Sequence, residues 1–263
     1  MTLDFTLAAF AIFCRQVTTL RVLTVRDYLR VAPCPPFLIL RFDVDFREPF
    51  ALRLGQILAA HEIRATFYFR RHASGFEWRA IRAIGALGHE VGYHYEALDR
   101  CRGDFDAAES LFLADIHALR AGDASVETVA AHGAPPVAAG YASNLDLLRA
   151  RPDLLGRARL RGDAVASVDF TRLTYFSDAG WRWRRCDGTP PGSNAAPSSL
   201  AELYAAGVRP DAALYANIHP QHWYARPSGL RYYRWRHRLG VHLLPRLRAV
   251  RAALASDQTR HQQ

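Results

Sequence analysis

Phe37-Leu-Ile-Leu-Arg-Phe-Asp43-Val-Asp45-Phe46 is the stretch on which the reading of this chain turns. Phe37 to Leu40 is a short apolar run behind Pro35-Pro36. That length and that flank predict a buried strand rather than a helix. The run ends in two aspartates two residues apart. Strand side chains alternate, so Asp43 and Asp45 leave on one face and Phe42 and Val44 on the other. Two carboxylates side by side at the end of a buried strand are costly unless a cation or a shared proton relieves them. A pair of solvated turn aspartates is the plain alternative, and the apolar run before them puts the two readings level.

Outward from this stretch the chain alternates. Upstream, the pattern predicts a helix over Asp4–Gln16, a strand over Leu20–Val25 and a helix starting at Arg26. Downstream, Pro49 suits a helix start, and Leu52, Leu54, Ile57 and Leu58 follow at helical spacing. Strands are predicted at Ala65–Arg70, His89–Glu96 and Val126–His132. Between them lie a helix over Phe76–Leu87, closed by Gly88, and a second one capped by Asp104. A helix over Leu145–Leu160 breaks near Pro152. Strands at Val165–Phe170 and Leu173–Phe176, a loop over Arg184–Ser199, a helix over Leu200–Ala206 and a strand over Ala212–His219 complete the pattern. Strands alternating with helices about seven times predict parallel strands joined by helical crossovers. With no composition break, residues 1–263 read as one domain, a closed or nearly closed α/β barrel. A doubly wound sheet is the alternative, but no glycine-rich phosphate loop follows the first long strand, which weighs against a dinucleotide fold.

Composition bounds the function. Half of the 263 residues are hydrophobic, enough for a large core. No run of about 18 apolar residues occurs, so no transmembrane helix is expected. Met1 to Cys14 is apolar but carries Asp4 and lacks the basic start and small-residue cleavage pattern of a signal peptide. The four cysteines, Cys14, Cys34, Cys101 and Cys186, form no Cys-x-x-Cys pair, which argues against a zinc knuckle. A cytoplasmic setting, or one peripheral to the inner membrane, is the expectation. The net charge is +9, and all 34 basic residues are arginine. Codon bias explains the absence of lysine; the net charge suggests an anionic partner. Residues 226–251 alone carry eight arginines beside Tyr232, Tyr233 and Trp235. Leu243, Leu247, Val250 and Leu254 share a stripe there, which predicts a basic helix over about 229–256. It either packs on the barrel or meets an anionic membrane surface or a phosphorylated glycan carrier. No nucleic-acid-binding motif appears, so none of that class is expected as a partner.

Polar residues collect at strand ends: Asp43 and Asp45, His94 and Glu96, His132, and Asn217 and His219. In parallel α/β barrels that rim carries the chemistry. A single histidine at a strand end is usually a plain hydrogen-bonding residue. Three histidines and two aspartates on one rim form an oxygen and nitrogen ligand set for zinc or a similar divalent metal. Metal-bound water, a carboxylate base and a histidine acid make a hydrolase. Trp181-Arg182-Trp-Arg-Arg185 interleaves aromatics with arginines, either to stack on sugar rings or as a solvated hairpin.

Asp43-Val-Asp45, then Leu87-Gly-His-Glu-Val-Gly-Tyr-His94, then a late strand ending in His219, resemble the polysaccharide deacetylases with NodB homology, carbohydrate esterase family 4. Gly92-Tyr-His94-Tyr-Glu96, His132-Gly-Ala-Pro135 and Ile218-His219-Pro-Gln221 resemble an uncharacterised, divergent branch of that superfamily. The resemblance implies a distorted seven-stranded (β/α) barrel and metal-assisted removal of an acetyl group from an amino sugar, in surface-polysaccharide synthesis. It implies Asp43 as general base, Asp45 and His94 as metal ligands, and His219 as general acid. Tyr93, Tyr95, Asn217, Trp181 and Arg182 are the candidate substrate contacts. The second metal histidine usual in the family falls at Leu98, so His132, or alternatively Glu96, is expected to supply the third ligand. Phe42 and Phe46 stand where the closer branch commonly has a histidine and a basic residue. These departures keep two other readings open: a degenerate barrel that binds a glycan or a partner protein, and a basic module for a membrane surface or nucleic acid.

Overall fold

A computed structural model describes residues 4–133, 136–186 and 199–232. Its strands in chain order are β1 (Val22–Leu23), β2 (Phe37–Val44), β3 (Thr66–Phe69), β4 (Glu90–Tyr95), β5 (Thr128–Ala131), β6 (Gly162–Asp163), β7 (Thr174–Ser177), β8 (Arg184–Arg185) and β9 (Ala213–Ile218). The helices are α1 (Leu7–Val17), α2 (Val25–Val31), α3 (Glu48–Ala59), α4 (Trp78–Ala86), α5 (Ala97–Arg100), α6 (Phe105–Ala121), α7 (Asp146–Ala150), α8 (Leu154–Arg157) and α9 (Leu200–Gly207). One sheet runs in the order β6-β5-β4-β3-β2-β9-β7-β8, with β1 beside the start of β2. Every pairing is parallel except β7 with β8.

The central strand β2 is buried along its whole length, as its apolar run requires. Its two faces serve different cores. Leu38, Leu40, Phe42 and Val44 join the large apolar layer between sheet and helices. Phe42 stacks on Phe67 at 4.5 Å and meets Phe10 of α1 edge-on at 6.1 Å. Phe37 and Ile39 join a smaller cluster with Tyr68, Ala130, Ala164 and Tyr215. Those residues come from strands far apart in the sheet, so the sheet curls around them. Tyr215 crosses this interior, its hydroxyl donating to the Ala164 carbonyl at 3.0 Å. A curled sheet with a filled interior replaces the doubly wound alternative. Among the described residues no ladder joins β6 to β7 or β8, so the barrel is open on that side.

Gly92 explains one step of this interior. A Cβ there would lie 2.3 Å from the Tyr68 ring and 2.8 Å from the Thr128 carbonyl. Without it, Tyr68 lies across the barrel to hydrogen-bond Thr128 at 2.8 Å, and the Arg41 guanidinium rests over the Tyr68 ring at 5.4 Å.

Three expectations need correction. Val165–Phe170 is no strand, because Asp163 Oδ1 accepts from the backbone of Val165 and Ala166 and turns the chain directly after β6. Leu20–Val25 shrinks to two residues, because Thr24 caps α2 by accepting from Asp27 N–H. Arg184 and Arg185 pair with β7 as an antiparallel edge rather than opening a loop, while residues 187–198 lie outside the described residues. The expected basic helix over 229–256, with Arg246, Arg248 and Arg251, lies outside them from residue 233 onward. Among the described residues no helix is long and apolar enough to cross a membrane.

Candidate active site

Strand register gathers the polar residues. β4 and β5 pair His94 with Ala130 and Tyr95 with Ala131. The His132 N–H continues that ladder to the Tyr95 carbonyl at 2.8 Å, which sets His132 beside Glu96 and just above His94. β2 and β9 pair Arg41 with Asn217, and β7 pairs Ser177 with Asn217, so Asp178 emerges next to the chain entering His219.

Asp45, His94 and His132 each offer a donor atom within 4.8 Å of the others. His94 Nε2 is 3.4 Å and His132 Nε2 3.6 Å from Asp45 Oδ1. A charge-assisted hydrogen bond would be about 2.7–2.9 Å. His94 Nδ1 sits 3.0 Å from the Ala130 carbonyl. A carbonyl only accepts, so Nδ1 carries a proton, and in the neutral ring Nε2 presents its lone pair to the site. Burial, together with the neighbouring His94, pushes the His132 pKa down to about 4, which leaves that ring neutral near pH 7. Burial also favours a protonated Asp45, but the neighbouring histidines outweigh it and hold the carboxyl below the usual carboxylate range. Asp45 Oδ2 accepts from Gln221 Nε2 at 2.8 Å; Oδ1 is buried with no hydrogen-bond partner. Two imidazole lone pairs and one carboxylate oxygen thus face a single point. Zinc holds such donors at about 2.0–2.2 Å, which places tetrahedral neighbours about 3.4 Å apart. The residues present fit a divalent metal.

A second Asp, His and His group lies on the same rim and is closed. Asp178 is fully buried. Its Oδ1 accepts from the His219 backbone at 2.9 Å and pairs with His219 Nδ1 at 2.7 Å, and its Oδ2 accepts from Trp223 Nε1 at 2.9 Å. His222 Nδ1 stands further off, at 3.5 Å. Burial works against the His219 charge, but the Asp178 hydrogen bond and the charges of Asp178, Asp43 and Asp45 push its pKa up to about 9. Burial likewise opposes a charged Asp178, yet His222 and His219 bring its pKa down to about 2. His219 is therefore an imidazolium at neutral pH.

Asp43 lies between the two groups and is buried. Arg41, two residues earlier on the same face, grips it with both arms: Nε to Oδ1 and Nη2 to Oδ2, each at 2.8 Å. Asn217 Nδ2 adds a bond to Oδ2 at 2.9 Å. Burial opposes the charge, but Arg41, His94 and His219 outweigh it, and the Asp43 pKa is lowered. A carboxylate has about four acceptor positions. Three are used, and one on Oδ1 is open.

The structure thus brings Asp43, Asp45, His94, His132, Asn217 and His219 together. Glu96 stands behind His132, 3.7 Å from its Nδ1, and accepts from Arg70 Nη2 at 2.5 Å. It is held away from the metal point rather than replacing His132. Leu98 is buried in the apolar core. Tyr93 and Tyr95, expected as substrate contacts, lie away from the rim. They flank His94 on the opposite face of β4 and are fully buried under the helices, where the Tyr93 hydroxyl donates to Asp115 at 2.5 Å. Strand alternation forbids both tyrosines from sharing the histidine's face. The Trp181 ring meets that of His222 at 4.3 Å, tilted by 41°, and so borders the site, with Arg182 exposed beside it. Four further residues belong to the arrangement: Arg41, Asp178, Gln221 and His222. Arg41 was readable from the two-residue spacing to Asp43. Asp178 directly follows the short strand β7. Gln221 lies in the Ile218-His219-Pro-Gln221 motif, which assigned it no role, and His222 carries no signal of its own in the sequence.

No family profile and no curated protein matches the sequence. Among solved structures the chain is similar to a mutant of BA3943, described as a CE4 family pseudoenzyme with restored enzymatic activity, at 14% identity and a TM-score of 0.45. It is likewise similar to wild-type BA3943, a CE4 family pseudoenzyme from Bacillus anthracis, at 15% identity and a TM-score of 0.44. Each comparison covers 75% of this chain, and 59% and 57% of those chains respectively.

Proposed function

We propose that this chain is a divalent-metal-dependent hydrolase that removes an acyl group, acetyl in the simplest case, from an amino sugar of a surface polysaccharide or its precursor. The observation that carries this reading is the buried, unpartnered Asp45 Oδ1 facing the nitrogens of His94 and His132. It lies beside an ionised Asp43 and a charged His219. Asp45, His94 and His132 would hold the ion, and the nitrogen-rich donor set suits zinc. When bound, such an ion lowers the pKa of water and polarises an acyl carbonyl. Asp43 has one acceptor position left for the attacking water's proton, and Arg41 and Asn217 fix the direction in which it points. His219, held by Asp178 with its charge intact, is the proton donor for the leaving amine. The fold expected for such a chemistry is the NodB-like barrel, and the sequence resemblance supports the amino-sugar substrate.

The test is acetate release from N-acetylglucosamine oligomers with zinc supplied. Asp43→Asn should lower turnover by roughly 10²-fold or more, the scale of lost acid–base catalysis, with metal content of the folded protein little changed. Full activity in that variant would remove Asp43 from this role. One observation favours a second reading, a barrel that binds a glycan without hydrolysing it. Arg41 occupies both Asp43 oxygens, which makes Asp43 a weak base. Glycan binding with no acetate release by the zinc-loaded protein would select it.

A further inference from the structure

Arg70, Glu96 and His132 form a line that ends at the metal point. Arg70 Nη2 donates to Glu96 Oε2 at 2.5 Å. The same Oε2 is 3.7 Å from His132 Nδ1, and His132 Nε2 is 3.6 Å from Asp45 Oδ1. The two nitrogens of one ring therefore face two carboxylates on opposite sides. His132 Nδ1 is buried and has no hydrogen-bond partner; Glu96 Oε2 is the carboxylate oxygen beside it. If Nδ1 carries the ring proton, a shift of about 1 Å brings it within hydrogen-bond reach of Glu96, and Nε2 offers its lone pair to the site. The reverse tautomer would offer no lone pair to a cation at that point, and would set the Nδ1 lone pair against a carboxylate. His94 is fixed in the same sense by a different group, the Ala130 carbonyl.

We infer that Glu96 is the outer carboxylate that orients His132 toward the metal, with Arg70 clamping Glu96 in place and keeping it from becoming a ligand itself. This rests on the metal-centre reading above and deepens it. The Glu96 side chain is only 13% exposed and that of His132 16%, so neither has free solvent to take over the partner's part. Metal-binding histidines ordinarily hand their second N–H to a carboxylate or carbonyl, and loss of that partner weakens metal binding by about 10–100-fold. The third ligand would then be a pair of residues from adjacent strands in register, Glu96 past β4 and His132 past β5. That pair supplies what Leu98, sealed in the apolar core, does not.

The test is competitive titration of zinc against a chromophoric chelator, with the visible spectrum of the cobalt-loaded protein as a second readout. The variants are Glu96→Gln, Glu96→Leu, Arg70→Met and His132→Ala. Glu96→Leu should weaken zinc by about 10–100-fold while the cobalt spectrum keeps its band positions, because no ligand is lost. Glu96→Gln, which retains an acceptor for Nδ1–H, should recover part of that loss. Arg70→Met should weaken zinc less than Glu96→Leu. His132→Ala should change the cobalt spectrum. Unchanged zinc affinity in Glu96→Leu, or a cobalt spectrum altered there as it is in His132→Ala, would overturn the inference; the second result would make Glu96 a ligand. Both outcomes leave the metal-centre reading standing, provided that wild type binds zinc and Asp45→Asn does not. Wild type that binds no zinc would remove that reading and this inference together.

Discussion

Two groups of one aspartate and two histidines face each other across the same rim, and they are built in opposite ways. In Asp178, His219 and His222, both carboxylate oxygens are engaged: a backbone N–H, an imidazole and an indole all donate to them within 3.0 Å. In Asp45, His94 and His132, the carboxylate keeps one oxygen bare while two ring nitrogens stand 3.4 and 3.6 Å away. The same residue types therefore serve two purposes. A short, direct contact stores a proton on His219. A gap too long for a hydrogen bond, lined by acceptors, leaves room for a cation. Composition alone cannot separate the two; the tautomer-fixing bond from His94 Nδ1 to a carbonyl does.

The largest expected effect breaks the open group and leaves the closed one intact. Asp45→Asn and His94→Ala should each reduce zinc affinity by at least about 10²-fold, beyond the range for outer-shell partners. Asp178→Asn should change it by less than about tenfold. Elemental analysis and zinc titration on the three variants check this. Equal losses in all three would erase the distinction between the groups.

Much of this comparison could be read in the sequence, for a physical reason. Period-two alternation after an apolar run puts Asp43 and Asp45 on one face, and the parallel topology sends every strand end to one rim. Those two rules locate Asp43, Asp45, His94, His132 and His219 without coordinates. The same alternation rule, applied to Tyr93 and Tyr95, already places them on the helix side. Which acceptor each histidine faces depends on register between strands. Ala130 against His94 and Tyr95 against His132 are pairings that no local pattern announces. Asp178 ends a short strand whose neighbours in sequence are turns, so its signal was faint. The turn at Asp163 likewise comes from a side chain capturing backbone N–H groups, an event that hydrophobic periodicity does not report.

The Arg41–Asp43 pair next to both groups is buried on both sides. Arg41→Met would strand the Asp43 carboxylate, and breaking a buried pair in this way costs about 3–5 kcal/mol. Urea unfolding should show that loss, and Arg41→Met combined with Asp43→Leu should recover part of it. A single variant within about 1 kcal/mol of wild type, the scale of an exposed ion pair, would mean that water reaches the pair.

A smaller effect sharpens the closed group through its pH dependence. The folded-state pKa of His219 is raised to about 9, above an unfolded value near 6.5. Its contribution to stability is therefore fully present below about pH 6.5 and is lost as pH rises through about 9. Asp178 shifts the other way, to about 2, so its contribution is present above about pH 4 and is lost as pH falls through about 2. Asp178→Asn should return the His219 pKa toward about 6.5, as read by NMR of the imidazole. It should also remove the loss of stability that wild type shows between about pH 6.5 and 9. A His219 pKa that stays near 9 in the variant would shift the credit to Asp43 and Asp45.

The smallest expected effect concerns the link between the two groups. Gln221 donates to Asp45 Oδ2 at 2.8 Å, and it sits in the short turn Pro220–His222. Asp178 clasps both sides of that turn, through the His219 backbone N–H before it and Trp223 Nε1 after it. The closed group thus holds the residue that steadies the open one. Gln221→Leu removes one neutral hydrogen bond to a ligand's outer oxygen, so zinc affinity should fall by about tenfold, the low end for outer-shell partners. The His219 pKa should not move, because Gln221 carries no charge. Asp178→Asn should loosen the turn and weaken zinc through the same bond, which gives the two changes a shared route. Their effects should then be less than additive in the double variant, since the second change finds the bond already weakened. Strict additivity in zinc titrations of the two single variants and the double variant would show that the clasp and the metal point act independently, and that the two groups share a rim without sharing a mechanism.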